Sequence, residues 1–289
     1  MTISAKIIAD SLNEHNGIRL TTMEIKYPRF ILAEFNTHRM FSRNSASSRA
    51  IPVQKQIDAI LADTAMPIHW GKNQPGMQAD EECSAAIGLP GFDSYSTGYT
   101  AQEAWEYARA NTIEVAQAFN AAGYHKQIVN RLLEPFMHMI TCVTATDWTN
   151  FYALRDHKDA QPEIRELAHQ MKLVHYSSEP KLLYEGDWHL PYLRDEDIID
   201  YDCNLEDYSY HEKEARISAA RCARTSYKTV EGKVPTVDED MKLWDRLMSN
   251  EIKHASPAEH PAMAVKDPGY IGNFRGWKQL RKFIPNETL

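Results

Sequence analysis

Residues 17–27, GIRLTTMEIKY, form an apolar, β-branched run that stops at Pro28, and no other junction in the chain is as restrictive locally. Such a run suits a strand. Proline fits the first turn of a helix, where its missing N–H would have no partner anyway. The segment that follows, RFILAEFNTHR, places Ile31, Phe35 and His38 at i, i+4 and i+7, the spacing of one helical face. The junction therefore reads as a strand feeding directly into a helix.

A dense polar stretch comes next: Arg39, Ser42, Arg43, Asn44, Ser45, Ser47, Ser48 and Arg49. Helices are predicted near 53–62 and 101–122, separated by a Gly, Pro and Ser-rich loop. Residues 138–145, HMITCVTA, fit a short buried strand, and 163–175 set Ile164, Leu167, Ala168 and Met171 on one stripe, with Val174 a turn further on. The stretch 185–207 holds nine Asp/Glu and several Tyr and reads as a solvated bridge. Beyond it, 212–225 and 240–250 look helical, the second with Met241, Trp244, Leu247 and Met248 as its apolar side.

Composition removes several classes of function. The chain has 289 residues, 43% of them hydrophobic, which suits a globular protein of one large or two small domains. Its net charge of −8 argues against coating DNA or RNA, although a local basic patch can still hold one phosphate. The four cysteines, at 83, 142, 203 and 222, form no CxxC pair, so neither a disulfide framework nor a zinc-ligand spacing is present. No apolar run approaches the ~18 residues of a membrane span, and the first 17 residues lack the apolar stretch of a signal peptide. The expectation is a cytoplasmic protein.

Three constellations have chemical content. HRMFSRNSASSR, residues 38–49, concentrates Arg and Ser, the side chains that grip phosphate by charge-assisted hydrogen bonds. The same residues also suit a solvated loop. In 148–165, Asn150, Arg155, Gln161 and Glu163 combine amide, guanidinium and carboxylate groups able to read a heterocyclic base, or to form the polar face of a helix. KHASPAEH, residues 253–260, has two His and a Glu, but HxxxxEH is not a zinc spacing, so a metal site is rejected. Structurally it reads as a new helix start, with Ser256 as N-cap and Pro257 at the first helical position.

These segments resemble the flavin-dependent thymidylate synthases. His38 and Arg39 match the end of that family's Arg-His-Arg signature, and Ser47 and Arg49 match the Ser and Arg that follow it. Asn150, Phe151, Leu154, Arg155, Ala160, Gln161, Glu163 and Ile164 match its NFxxLR…AQxEI motif, and Arg131 stands before a similar Leu-Pro run. The family's opening segments, ARxSF and HxTPFEH, are similar to ARTSY at 223–227 and HASPAEH at 254–260. The order is therefore that of a circular permutation within a single catalytic domain, 1–289. Residues 17–175 resemble the family's second half, 176–211 are the acidic bridge, and 212–265 resemble its first half. Five positions depart from the pattern: Glu34, Thr37, Ser45, Thr144 and Asp159.

The resemblance implies an α/β (α+β) fold, a twisted sheet with flanking helices, in a homotetramer with active sites between subunits. It implies reductive methylation of dUMP to dTMP, with carbon from 5,10-methylenetetrahydrofolate and hydride from FAD reduced by NADPH. Arg155 and Ser47 would be catalytic. Glu34, Ser47, Ser48, Arg49, Arg131 and Arg155 would bind the nucleotide. His38, Arg39, Asn150, Ser226, Ser256 and Glu259 would bind cofactor. Two other readings stay open: a related flavin and folate enzyme that hydroxymethylates or acts on dCMP, and a nucleotide-binding protein that has lost catalysis.

Overall fold

In the computed structural model, which describes residues 2–89, 98–197, 209–225, 235–249 and 253–287, the chain opens with a hairpin. Strand β1 (Ser4–Asn13) turns back into β2 (Arg19–Pro28), the turn closing at Gly17 with φ +69°, a conformation that costs glycine nothing. The sequence reading marks only the second of these strands. Pro28 is the last residue of β2 rather than the start of a helix, and a 3-10 turn, Arg29–Ile31, leads into the single-turn α1 (Leu32–Phe35). His38 lies past that helix, so the expected helical face of Ile31, Phe35 and His38 does not exist as one helix.

After β3 (Ser42–Ser45) come α2 (Val53–Ala62), α3 (Ala101–Ala121) and α4 (Lys126–Leu133), then β4 (His138–Ala145), α5 (Thr149–Arg155) and α6 (Pro162–Ser177). A Thr100/Glu103 capping box starts α3, and Gln161 caps α6 by accepting from Ile164 N–H at 3.0 Å. The motif expected as one polar helix is thus two helices joined by 156–161. Strand β5 (Lys181–Leu183) completes a five-stranded sheet in the order β3-β4-β2-β1-β5. Every neighbouring pair is antiparallel except β1 with β5.

Period-2 alternation gives this sheet two different faces. On one, Met23, Ile25 and Tyr27 of β2 join Met139 and Val143 of β4 under α1, α5 and α6, where Phe35, Phe151, Ile164, Leu167 and Met171 complete the core. The stripe expected on 163–175 is this face of α6. On the opposite face the same strands present Thr22, Cys142 and Thr144, all at 0% exposure. Helices α2, α3 and α4 pack together through Ile57, Ile60, Ile113, Val129 and Leu133.

The remainder covers that second face. It comprises β6 (Trp188–His189), α7 (Ser209–Arg224), α8 (Val237–Met248), a 3-10 turn at Ser256–Glu259, β7 (Ala262–Ala264), the short pair β8 (Tyr270–Ile271) and β9 (Phe274–Arg275), and β10 (Trp277–Gln279). Alanines 215, 219 and 223 recur along α7 and let α8, through Leu243 and Trp244, and Ala258 approach closely. The acidic stretch is not simply a solvated bridge. Within it His189 sits at 1% exposure and Asp197 at 6%, and Asp197 and Asp240 both pair with the buried Arg221. Residues 198–208 lie outside the described residues. Ser256 does not cap a helix: it is the first residue of the 3-10 turn, whose N-cap is Ala255. Among the described residues, no helix is long and apolar enough to cross a membrane.

Candidate functional site

Arg155, the last residue of α5, joins the two sequence motifs. Its Nε donates to His38 Nε2 at 2.9 Å, and its Nη1 donates to the Glu34 carboxylate. Neither Glu163 nor Asp159, acids of the same motif, pairs with it, and Glu34 pairs with neither Arg39 nor Arg43. The arrangement follows from the local fold. Ile31 and Phe35 anchor the short α1 in the core, which leaves Glu34 facing α5 and holds His38 edge-on to Phe151, ring centroids 4.8 Å apart. Thr37, the departure in the signature, bonds its hydroxyl to the Glu34 carbonyl at 2.7 Å and so finishes the turn.

The electrostatics make His38 a neutral acceptor. Burial, then the charges of Arg155 and Arg43, lower its pKa from 6.5 to about 4. Because Nε2 accepts from Arg155, the ring proton resides on Nδ1. Arg43, on β3, donates to the carbonyls of Phe35 and His38, both at 3.2 Å, and locks the segment from behind. Arg155 uses two of its five N–H donors on these partners, which leaves the rest for a ligand.

Two clefts meet at Arg155. One, of about 330 Å³, is lined by Thr37, His38, Arg39, Met40, Phe41, Asp147, Asn150, Phe151, Leu154 and Arg155. The other, of about 750 Å³, is lined by Glu34 and Arg155 on one side and by Phe30, His69, Trp105 and Gln161 among others. Gln161 and Glu163 are not free to read a base. Glu163 is buried and accepts from Ile68 N–H at 2.8 Å and from Gln161, so the two residues fasten the loop that walls the larger cleft.

The phosphate-type loop is also ordered. Asn130 of α4 donates to the carbonyls of Ser48 at 2.6 Å and Ile51 at 2.9 Å, and Lys126 donates to Ala50 O at 2.8 Å. The next residue on that helix is Arg131, exposed like Arg49. Sequence reasoning missed Asn130 and Lys126. Their neighbour Arg131 was the only signal, because carbonyl-holding side chains look like any polar helix residue. Among the described residues no hydrogen bond joins Arg155 to Ser47, Ser48, Arg49 or Arg131, and neither cleft includes these four. The four residues of β3 lie between the two groups, about 13 Å of strand.

The remaining candidates divide. His38, Arg39 and Asn150 share the smaller cleft. Glu259 pairs with Arg281 and its charge acts on Arg43, which places it behind the cleft on the far side of β3. Ser256 is exposed, and Ser226 lies outside the described residues. Among the described residues no cysteine reaches either cleft: Cys142 and Cys222 are fully buried, and Cys83 is exposed on the long loop, while Cys203 lies outside the described residues.

Comparison with known proteins adds a family. The family model described as thymidylate synthase complementing protein matches residues 10–180. A crystal structure of a UMP/dUMP methylase, PolB from Streptomyces cacaoi, bound with 5-Br dUMP is similar at 15% identity and a TM-score of 0.40, covering 60% of this chain and 90% of that one. The same protein bound with 5-Br UMP is similar at 18% identity and a TM-score of 0.41, covering 60% and 88%. No curated protein matches the chain. The family match runs from the end of β1 through α6, with both nucleotide-type motifs and more than half of the sequence; the chain belongs to the thymidylate synthase complementing protein family, and with it to the methyltransferase-type enzymes.

Proposed function

We propose that the chain catalyses the reductive methylation of dUMP to dTMP, in which methylenetetrahydrofolate and NADPH with a proton become tetrahydrofolate and NADP⁺. The observation that carries the reading is Arg155: one guanidinium borders both clefts, held by a neutral imidazole and a carboxylate.

The residues of the smaller cleft fit part of FAD. The smaller cleft has an aromatic floor, Phe41 and Phe151 at 5.2 Å, with His38, Arg39 and Asn150 around it. Its 330 Å³ is at the low end of ligand cavities, about 300–1,000 Å³, and suits a ring system rather than a whole dinucleotide. The residues fit the ring portion, and His38, Arg39 and Asn150 would hold it. When bound, FAD supplies the hydride. The rest of the cofactor then lies outside this cleft, as in a homotetramer with sites shared between copies.

The chain's own residues position and polarise. Arg155 holds spare donors toward the pyrimidine and stabilises negative charge that develops on the ring oxygen. Glu34 keeps the guanidinium aimed and accepts an N–H from the base edge. His38, being neutral, adds no positive charge that would compete for the ring. The loop of Ser47, Ser48 and Arg49, pinned by Asn130 and Lys126 and flanked by Arg131, takes the phosphate. That neither cleft at Arg155 includes this loop favours phosphate and base being held by different copies. The packing of the 256–260 segment on β3 and β4 supports the permuted order, since the family's two halves then meet although they are far apart in sequence. A cytoplasmic location belongs to the same reading.

Incubation with FAD, NADPH, methylenetetrahydrofolate and dUMP, dCMP or UMP, followed by mass spectrometry of the nucleotide, tests it. The expected product is dUMP plus one CH₂. A gain of CH₂O, or product from dCMP alone, overturns it, and a protein with no FAD affinity leaves only nucleotide binding.

A further inference from the structure

The second face of the sheet contains a cluster that the function above does not use. Cys142 of β4, Cys222 of α7 and His260, after the 3-10 turn, bring two sulfurs and one ring nitrogen within 4.8 Å of one another. All three residues have 0% exposure. We infer that Cys142, Cys222 and His260 form a structural zinc site that fastens the C-terminal layer to the central sheet. Sequence spacing cannot reveal it, because the ligands come from three separate segments.

Geometry supports the assignment. Zinc bonds of about 2.3 Å to sulfur and 2.0–2.1 Å to nitrogen give a tetrahedral S···N edge of about 3.6 Å. The distance from Cys142 Sγ to His260 Nδ1 is 3.6 Å. The imidazole is also oriented as a ligand. His260 Nε2 lies 3.2 Å from Asn44 Oδ1, which can only accept, so the proton is on Nε2 and Nδ1 keeps its lone pair beside Cys142. An outer N–H held by a fixed acceptor is the usual support of a metal-bound histidine. Charge balances too: two thiolates and a neutral imidazole around Zn²⁺ sum to zero, which removes the penalty of burying an unpaired charge.

One group competes for the lone pair. Thr144 Oγ1 lies 2.8 Å from His260 Nδ1 and can donate to it. It also lies 2.7 Å from Thr22 Oγ1, which lies 2.8 Å from His189 Nε2, and His189 Nδ1 lies 2.8 Å from Ser11 Oγ. Each link in this chain both donates and accepts, so the whole chain can reverse and release His260 Nδ1. The fourth position falls to water: the Tyr192 hydroxyl neighbours Cys142 but donates to Glu24 at 3.0 Å, and its backbone has φ +62°. A non-glycine residue keeps that conformation only where its surroundings hold it.

The full chain, expressed with zinc and purified under reducing conditions, is expected to carry one equivalent of zinc by elemental analysis. Replacement with Co²⁺ should produce a thiolate-to-cobalt charge-transfer band and the intense visible bands of a tetrahedral site. Cys142→Ser and Cys222→Ser should lose the metal, and Cys83→Ser should keep it. If the cysteine variants do not fold, the wild-type cobalt spectrum and a zinc-dependent rise in melting temperature decide the matter. A wild-type protein without bound zinc and without the thiolate band overturns the inference. So does recovery of Cys142 and Cys222 as a disulfide from zinc-supplemented, unreduced protein.

Discussion

Replacing Arg155 by Ala separates positioning from folding, and the structure sets the scale of each. The Arg155 and Glu34 side chains are 21% and 30% exposed, so their ion pair is worth about 1 kcal/mol, the upper end for accessible pairs. The bond to His38 adds about 1 kcal/mol. A total near 2 kcal/mol lowers the melting temperature by about 4 °C in a chain of this size. Turnover should fall much further, by about 10²–10³-fold, because preorganised charge at a reacting ring is worth about 3–4 kcal/mol. Arg155→Lys keeps the charge but cannot reach His38 and Glu34 together, so it should regain about half of the stability and little of the turnover. The assay pairs kcat and KM for dUMP with thermal unfolding of both variants. A fall of more than about 10 °C in proportion to lost activity would make Arg155 a structural residue, as would turnover within about threefold of the parent.

Further outcomes are open to simple measurement. Glu34→Gln should leave dUMP turnover unchanged or raised, because the amide still accepts from Arg155 while freeing its charge; loss of dUMP turnover, with dCMP competing well in the parent, would favour the cytosine reading. Arg221→Ala should cost about 1–3 kcal/mol in urea unfolding, since it removes the buried partner shared by Asp197 and Asp240, which keep only Arg194 and Arg224; a loss under about 0.5 kcal/mol would contradict the network. Stability should fall between pH 6.5 and 4. His38, His138 and His175 have folded pKa values of about 4, and His189 of about 3, so the unfolded chain binds more protons in that window and acid favours it. The lowered carboxylates Asp10 and Asp63 keep their contribution until more acid conditions. A flat melting temperature from pH 7 to 5 would refute this. Cys83→Ala should leave turnover intact, because Cys83 lines neither cleft.

The sequence by itself determined the elements whose stability is local. The helices at 53–62 and near 101–122, the strand at 138–145 and the stripe of Ile164, Leu167, Ala168 and Met171 were legible because periodicity states which side chains must be buried together. That the two polar motifs meet, at the Arg155–His38 bond, followed from the family resemblance alone, since the residues by themselves also suit a solvated loop and a polar helix face. Tertiary structure decided the rest. Pro28 ends a strand because β4 supplies a partner beside it, at His138, which no local rule anticipates. The acidic stretch is partly buried because Arg221, on a later helix, neutralises Asp197. Glu34 pairs with Arg155, 121 positions away, and Cys142 meets Cys222 and His260 only once α7 and the 256–260 segment close over the sheet. Periodicity reports which face of an element is apolar; the partner that a charge or a thiol meets there depends on packing between segments remote in sequence.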